Sequence, residues 1–327
     1  MINAKIFGVG SYCPEPILAN KDLENIIETT DEWIVSRTGI RERRVAPKEE
    51  ITSDLAFKAS ERALADAGIS AEELDLLILG TTTPDMIFPS TACFVQAKLG
   101  ANKAAAFDLA AACSSFIYAL SVANSFIKTG SYRTIMVIGV EIMTRIVDWT
   151  DRNTCILFGD GAGAAVLKRA EDNSSGILST HIYSDGNYTK HLYGPGGGTL
   201  HPASHETVDQ RLHFIKMNGN EIYKGAVKAM TEAAREALSY NNLQPENIDL
   251  FIPHQANRRI VDAVVEKLQI SVGKTFINVE KYGNTSSASI PIALDEAVKQ
   301  GRIKKNDLVL LASFGAGFTW GSDLIRW

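Results

Sequence analysis

One cysteine of this sequence stands where a short apolar run passes into a helical pattern. Cys113 follows Phe107-Asp-Leu-Ala-Ala-Ala112, and apolar residues recur after it at Phe116, Ile117 and Leu120. A thiol at the start of a helix lies near unpaired backbone N–H groups, which lower its pKa from about 8.5 and favour the nucleophilic thiolate. A cysteine packed between alanines as a small apolar residue is the alternative interpretation. The other three cysteines have no comparable setting, and for them we keep the structural interpretation: Cys13, Cys93 and Cys155.

Two polar residues in the second part of the chain also follow extended runs. His254 comes directly after the apolar run Asp249–Pro253, and the carboxyl ends of parallel strands are where open sheets bind ligands. A lone histidine is nevertheless more often structural than functional. Asn284 comes after the run Thr275–Val279, but its Gly-Asn pair is also a common turn sequence. From position alone, His254 is a candidate and Asn284 would not be chosen.

The composition is that of an ordinary globular protein. The chain has 327 residues, of which 45% are hydrophobic, and a net charge of −5, which excludes a nucleic-acid-binding protein whose whole surface is basic. Its start lacks a signal-peptide pattern and no apolar run approaches the roughly 20 residues of a membrane span, so we expect a cytoplasmic protein with reduced thiols. No CxxC pair occurs, and His201 and His205 are four apart without a helical pattern, so we expect no metal site.

The predicted secondary structure alternates between buried strands and helices. Apolar runs typical of strands covered on both faces are preceded by helical patterns at Ser53–Ala67 and Glu221–Tyr240, which predicts an α/β protein. The predicted strands are Asp75–Gly80, Thr134–Gly139, Asp249–Pro253 and Asp307–Leu311.

The sequence also repeats itself at one constant offset. This repeat offset, the spacing from Ala63 to Ala237, places Ala63–Leu79 on Ala237–Pro253 without a gap. It also places Gly68 on Asn242, and glycine and asparagine are the two residue types that most readily end a helix in the left-handed conformation. We interpret this as a duplicated α/β unit, with halves at residues 1–174 and 175–327. Two regions, Asn20–Glu50 and Asp185–His213, break the correspondence and are expected to carry substrate binding.

Two glycine clusters need separate interpretation. Gly159-Asp-Gly-Ala-Gly-Ala164 runs into the strand-like Ala165-Val-Leu167 and not into a helix, so a dinucleotide-binding turn is not expected. Phe314-Gly-Ala-Gly-Phe318 lacks the Lys-Ser/Thr of a phosphate-binding loop. It could instead bring a backbone N–H close to a reacting atom.

Taken together, these motifs resemble the β-ketoacyl-acyl-carrier-protein synthase III family, the initiating condensing enzymes of type II fatty acid synthesis. The resemblance runs along the whole chain and is carried by Thr30-Asp-Glu-Trp-Ile-Val-Ser-Arg-Thr-Gly-Ile-Arg-Glu-Arg-Arg44, Ala111-Ala-Cys-Ser-Ser115, Phe158-Gly-Asp-Gly-Ala-Gly-Ala-Ala165, Pro253-His-Gln-Ala-Asn257, Gly283-Asn-Thr-Ser286 and Phe314-Gly-Ala-Gly-Phe-Thr-Trp-Gly321. It implies a thiolase-like fold in which two similar halves form a five-layer αβαβα core.

The resemblance also implies catalytic roles. Cys113 would accept the acyl group, and His254 and Asn284 would donate hydrogen bonds to the enolate that forms when a malonyl thioester loses CO2. Backbone N–H groups of Cys113 and Ala316 would bind the oxyanion of the condensation step; Ala316 stands where relatives often carry glycine. No metal or other cofactor is implied, since the CoA thioester is a substrate.

The binding residues are implied in the same way. For CoA, Trp33 and Arg152 would flank the adenine, Thr29 would lie at its edge, Arg37 would approach the phosphates, and Gly219 and Asn257 would contact the pantetheine arm. An indole face with guanidinium groups is a sensible nucleotide site, although ordinary surface packing would explain Trp33 and Arg37 equally well. Phe88 would close the acyl pocket of the neighbouring subunit of a homodimer and favour a short primer such as acetyl.

An acidic acyl carrier protein is the implied protein partner, so an enzyme of net charge −5 needs a local basic surface. Lys224, Arg258, Arg259 and Lys267 match or adjoin the docking patch of the family, with Glu266 at one of its basic positions. A solvated, charged helix face is the alternative interpretation for each of them.

Other functions with the same three residues stay open. A papain-like hydrolase also has the order Cys, His, Asn, but the internal duplication and the missing local signature argue against it. A related acyltransferase or a secondary-metabolite ketosynthase would keep the three residues and change the acceptor. A non-catalytic CoA-binding scaffold is the weakest alternative, because all three reactive positions are occupied.

Overall fold

A computed structural model describes residues 2–172 and 174–327 of the chain. The strands are β1 Ala4–Tyr12, β2 Ile17–Ala19, β3 Glu42–Arg44, β4 Leu76–Gly80, β5 Ala105–Leu109, β6 Thr134–Ile142, β7 Asp160–Arg169, β8 Gly176–Ser184, β9 Leu192–Tyr193, β10 Lys216–Met217, β11 Leu250–Pro253, β12 Leu308–Gly315 and β13 Thr319–Arg326. The α-helices are α1 Asn20–Leu23, α2 Asp31–Thr38, α3 Thr52–Ala67, α4 Thr91–Leu99, α5 Ser115–Thr129, α6 Arg152–Cys155, α7 His205–Asp209, α8 Gly219–Tyr240, α9 Arg258–Leu268, α10 Val279–Tyr282 and α11 Ser289–Lys299.

Two mixed sheets carry the fold. The first has the order β1-β7-β6-β4-β5 and the second β11-β12-β13-β8. All four strands predicted from apolar runs are present, and they lie in parallel pairs: β4 beside β6 and β11 beside β12. One predicted extended run is wrong: Thr275 makes only an isolated bridge to Phe251, and α10 begins at Val279.

The side chains of these strands alternate between two cores, which explains why the runs are apolar throughout. Leu76 and Ile78 of β4 face a central core that also contains α5 and α11, whereas Leu77 and Leu79 face an outer core with α3. In the second sheet Phe251 faces α8 and α9 in the same way. The layers are therefore outer helices, sheet, α5 with α11, sheet, and outer helices, which confirms the predicted α/β fold with five layers.

The central helix α5 is apolar on most of its surface because both sheets cover it. Phe116, Ile117 and Leu120 are at most 1% exposed, and the burial of each such side chain contributes about 1.5–3 kcal/mol. This packing holds the residues at the amino-terminal end of α5 in place. Cys113 lies at that end, in the 3-10 turn Ala112–Ser114.

Corresponding positions of the two halves have matching backbone conformations. Gly68 and Asn242 both have positive φ, at 66° and 55°, as the repeat offset predicted. The same offset relates the turn Ala112–Ser114 before α5 to the turn Ser286–Ala288 before α11. Ala112 and Ser286 each have a φ of 48°, a conformation that non-glycine residues adopt rarely. A duplicated unit accounts for these matches, and the boundaries 1–174 and 175–327 stay a prediction.

The two regions outside the repeat contain short elements. Asn20–Glu50 contains α1, α2 and β3, which pairs with β2 just before this region, and Asp185–His213 contains β9 and α7. Within residues 2–172 and 174–327, no helix combines the length and the apolar character that crossing a bilayer requires.

Candidate active site

Cys113 is held by groups of the second half of the chain. The Ser313 hydroxyl donates to the backbone carbonyl of Cys113 at 2.8 Å, and the Thr319 hydroxyl donates to that of Ala111 at 2.8 Å. The Ser114 hydroxyl in turn donates to the carbonyl of Thr319 at 3.1 Å. Because the turn is bonded on both sides of the cysteine, the thiol has a fixed position at the start of α5.

Gly315 makes the closest backbone approach to this turn. A Cβ atom added at Gly315 would lie 2.7 Å from the Cys113 nitrogen and 3.1 Å from the Ala111 carbonyl oxygen. Any side chain at this position would therefore displace the nucleophile turn. The predicted oxyanion donor Ala316 follows immediately, and its carbonyl accepts from the Thr319 hydroxyl at 3.0 Å.

His254 is placed by the end of β11. Its backbone N–H donates to the carbonyl of Ala312 at 2.8 Å, which continues the ladder with β12. The next side chain, Gln255, donates to the carbonyls of Pro253 and Phe276 and accepts from the N–H of Asn278. The imidazole is 2% exposed, and burial lowers its pKa to about 3. At neutral pH the ring is uncharged and one of its nitrogens carries a hydrogen to donate.

Asn284 has its carboxamide oriented by one backbone group. Its Oδ1 accepts from the N–H of Ser286 at 2.8 Å, which leaves Nδ2 as the group that can donate into the cavity. Its own N–H donates to the carbonyl of Leu157 at 2.8 Å and ties the residue to the first half.

A cavity of about 240 Å³ brings Cys113, His254 and Asn284 together. Apolar side chains, among them Phe158 and Phe314, line the same cavity. The three residues come from both halves of the chain, as the sequence led us to expect. Such a site can bind a thioester beside a thiol, with two neutral donors available for a developing negative charge. The part of the chain that the structure describes contains no group of three or more His, Cys, Asp or Glu residues placed to hold a metal ion.

The pKa of the Cys113 thiol is raised, whereas the start of a helix led us to expect that it would be lowered. Burial raises the pKa of Cys113 to about 12, and the negative charge of Glu141 adds to this, while a hydrogen bond from Ser286 opposes it. The sequence pattern shows the start of a helix but not that the whole turn is buried, and desolvation of the thiolate is the larger effect. The resting cysteine is therefore protonated.

A second, open cavity leads away from this site. Trp33, Arg37, Gly219 and Asn257 line it, and the last two also line the cavity at Cys113, so the two cavities adjoin at these residues. Four of the predicted CoA-binding residues thus lie along one route to the cysteine. At the outer end, the guanidinium carbons of Arg37 and Arg152 are each 4.6 Å from the centre of the Trp33 ring.

Thr29 and Arg152 line neither of these two cavities in the described part of the chain. Arg152 stacks directly on Trp33 and donates to the carbonyl of Glu28 at 3.0 Å. An aromatic ring inserted between two groups needs a separation of about 7 Å, which is twice a normal contact. An adenine could therefore enter between Trp33 and Arg152 only if the two side chains move apart.

Three of the four predicted docking cations lie on one side of α8 and α9. Lys224 and Lys267 line a shallow groove, and Arg259 extends over the Tyr223 ring beside it. Arg258 is directed elsewhere: it pairs with Asp262 at 2.7 Å and packs against Gly39. The groove also contains Lys228 and Arg235, which the sequence interpretation missed. Their spacing of four and eleven residues from Lys224 on one helix was the available signal.

Phe88 lies outside the cavity of its own chain. It is 81% exposed in the segment that connects β4 to α4, next to Ile87 at 80% and Met86 at 48%. Neighbouring exposed apolar side chains of this kind are typical of an interaction surface. Its predicted place in the acyl pocket of a second subunit stays a prediction.

The sequence interpretation also missed two residues behind the site, Glu141 and Ser286. Glu141 is fully buried near the end of β6 and accepts a hydrogen bond from the Ser286 hydroxyl at 3.1 Å. The signal for Glu141 was a carboxylate inside an otherwise apolar strand, because glutamate is almost never fully buried without partners.

Comparisons with known proteins agree along the chain. The family model described as 3-Oxoacyl-[acyl-carrier-protein (ACP)] synthase III matches residues 107–186, and the model for the C terminal of the same family matches residues 238–327. A curated relative from Caldanaerobacter subterraneus subsp. tengcongensis, named Beta-ketoacyl-[acyl-carrier-protein] synthase III, is 55% identical over 326 residues, which covers 100% of this chain and 98% of the relative.

Solved structures show the same similarity. The 3-oxoacyl-[acyl-carrier-protein] synthase III from Aquifex aeolicus VF5 superposes with a TM-score of 0.92 at 50% identity, covering 99% of this chain and 100% of the other. The priming β-ketosynthase from the R1128 polyketide biosynthetic pathway has a TM-score of 0.91 at 34% identity and covers 99% of this chain and 96% of the other.

Proposed function

The chain belongs to the 3-oxoacyl-[acyl-carrier-protein] synthase III family, and from this membership and the geometry of the site we propose how its residues catalyse the reaction. It is a condensing acyltransferase that initiates fatty acid synthesis. We propose that it joins acetyl-CoA to malonyl-acyl carrier protein. The products are 3-oxoacyl-acyl carrier protein, CoA and CO2. The two adjoining cavities, one lined by Trp33 and the other by Cys113, support this most directly.

The first step transfers the acyl group to Cys113. CoA binds with its nucleotide near Trp33 and Arg37 and its pantetheine arm past Gly219 and Asn257. The sulfur of Cys113 bonds to the thioester carbon, the bond to the CoA sulfur breaks, and the thiol proton leaves with the CoA thiol. Because one thioester replaces another, the acyl group stays activated.

The second step generates the carbon nucleophile. The malonyl thioester loses CO2, and the enolate oxygen accepts hydrogen bonds from the neutral His254 ring and from Nδ2 of Asn284. A protonated histidine would instead pair with the malonyl carboxylate and hold it in place. The low pKa of His254, about 3, therefore suits this role.

The third step forms the carbon–carbon bond. The enolate carbon attacks the acyl-Cys113 carbonyl, and the oxyanion is bound by the backbone N–H groups of Cys113 and Ala316. Collapse of this tetrahedral intermediate expels the Cys113 thiolate, which takes up one proton. One proton is consumed overall because the negatively charged malonyl carboxylate leaves as neutral CO2. Because the pKa of the Cys113 thiol is about 12, its thiolate takes up that proton readily.

The partners follow from the family. We propose acyl carrier protein as the protein partner, docked at the groove of Lys224 and Lys267. We also propose a homodimer in which the exposed Phe88 enters the partner's acyl pocket and limits the primer length. The solvent exposure of Phe88 and the cations of the groove support these assignments.

The test uses three variants and separates the two half-reactions. Cys113→Ala should form no acyl-enzyme when mixed with acetyl-CoA, as read from the mass of the intact protein. His254→Ala and Asn284→Ala should acylate normally but release CO2 from malonyl-acyl carrier protein about 100-fold more slowly or worse. Acyl transfer that persists in Cys113→Ala would exclude the covalent mechanism, and normal CO2 release in either other variant would exclude its oxyanion role.

A further inference from the structure

Glu141 is a buried carboxylate without a cationic partner. It is 0% exposed, and none of the ion pairs within residues 2–172 and 174–327 includes it. Burying a charge without a partner is unfavourable, and such groups persist where they hold a specific arrangement. The arrangement around Glu141 includes one residue of the active site.

Hydrogen-bond donors surround the carboxylate on two sides. On one side, the segment after β4 supplies the N–H of Thr82 at 3.1 Å and the hydroxyls of Thr81 at 3.3 Å, Thr82 at 3.1 Å and Thr83 at 2.6 Å. On the other side the Ser286 hydroxyl donates to Oε1 at 3.1 Å, from a residue 145 positions later in the chain. Glu141 thus connects the first half to the turn Ser286–Ala288 of the second half.

Ser286 needs such support because of its backbone. Its φ of 48° is unfavourable for a residue with a side chain. In this conformation its N–H donates to Oδ1 of Asn284 at 2.8 Å, and this bond fixes which end of the carboxamide is turned into the cavity. The hydroxyl of the adjacent Ser287 donates to the carbonyl of Gly80 at 2.9 Å. Hydrogen bonds to Gly80 and to Glu141 thus hold the turn against the ends of β4 and β6.

We infer that Glu141 is a positioning residue for the condensation reaction: through the Ser286 hydroxyl it holds the turn whose N–H orients the carboxamide of Asn284 toward the enolate. This inference rests on the proposed role of Asn284. The repeat offset that relates the halves places Glu141 on Gly315. Gly315 supports the Cys113 turn by close backbone packing, and Glu141 supports the corresponding Ser286 turn by a side-chain bond.

Two variants break this connection without touching Asn284. Ser286→Ala removes the hydroxyl that bonds Glu141 and also bonds the Cys113 thiol, whereas Glu141→Gln replaces one carboxylate oxygen by an amide NH2 group and leaves that hydroxyl in place. Each should slow CO2 release from malonyl-acyl carrier protein about 10- to 100-fold through kcat with KM for that substrate near normal, and Glu141→Gln should leave acyl-enzyme formation near normal. Thr82→Ala is the matched control. It also removes one hydroxyl from the carboxylate, but on the side away from Ser286, and should stay within about threefold of the unchanged protein.

A double variant separates positioning from a general structural effect. If Ser286 acts through Asn284, Ser286→Ala combined with Asn284→Ala should release CO2 no more slowly than Asn284→Ala alone. Additive losses, or a Ser286→Ala variant as fast as Thr82→Ala, would overturn the inference. If Asn284→Ala itself released CO2 normally, the proposed function of Asn284 would fail instead, so the two failures are distinguishable.

Discussion

The close approach of Gly315 to the nucleophile turn makes a strong test of the site geometry. In Gly315→Ala the added Cβ would lie 2.7 Å from the Cys113 nitrogen, which is about 0.7 Å short of the 3.4 Å at which ordinary contacts begin. The atoms that it meets are backbone atoms of Ala111, Cys113 and Ser114, and the Ser313 and Thr319 hydroxyls bond the same turn, so no flexible side chain can give way.

A displacement of this size should both slow catalysis and destabilise the fold. Misplacing a reacting group by about 1 Å can cost roughly 100-fold in rate, so we expect acyl-enzyme formation to slow about 30- to 100-fold. Overpacking should lower the free energy of unfolding by about 1–3 kcal/mol. The rate is measured from the mass of the intact protein in a quenched time course with acetyl-CoA, and the stability from urea unfolding.

Gly198→Ala is the matched control for this experiment. A Cβ at Gly198 has no atom within 4 Å, so the substitution adds the same methyl group without a clash. It should acylate like the unchanged protein. If Gly315→Ala acylated within about threefold of this control, the nucleophile turn would not require the packing that the structure shows, and the argument from Gly315 would be wrong.

Three further predictions concern CoA, the carrier protein and stability. Trp33→Ala should raise KM for acetyl-CoA about tenfold with little change in kcat, because in the proposed binding mode the indole contacts the nucleotide and not the reacting carbon; a fall in kcat alone would contradict this in steady-state assays. Lys228→Glu should raise KM for malonyl-acyl carrier protein, less so at high salt, and leave acylation by acetyl-CoA unchanged; equal effects on both substrates would contradict a docking role. Asp323 is 0% exposed, neither of its carboxylate oxygens has a hydrogen-bond partner within the described residues, and burial raises its pKa well above 3.8. The folded state therefore keeps a proton on Asp323 that the unfolded state loses, so Asp323 contributes a fall in the free energy of unfolding as pH rises from 3.8 through the raised pKa. Compared with the unchanged protein, Asp323→Ala should lose this contribution in urea unfolding between pH 4 and 8 and raise the midpoint; the same pH dependence in both proteins would contradict it.

Local patterns in the sequence were enough to predict the scaffold. The strands β4, β6, β11 and β12 were predicted because continuous apolar runs mark strands covered on both faces, and neighbouring residues alone create that pattern. The site was only partly predictable by such reasoning. Cys113 and His254 could be singled out because each follows a strand end, whereas Asn284 needed the resemblance to a family, since Gly-Asn is also a common turn.

Local sequence was sufficient for the alternation of strands and helices, the internal repeat with its constant offset, and the strand ends that Cys113 and His254 follow. How these side chains behave depends on contacts between distant parts of the chain. The bond between Ser286 and Glu141 joins residues 145 positions apart, and that between Ser313 and Cys113 joins residues 200 apart, so no local pattern reveals them. The pKa of Cys113 shows the physical reason: a helix start favours the thiolate, but the elements packed over the turn from elsewhere in the chain exclude water, and this desolvation raises the pKa to about 12.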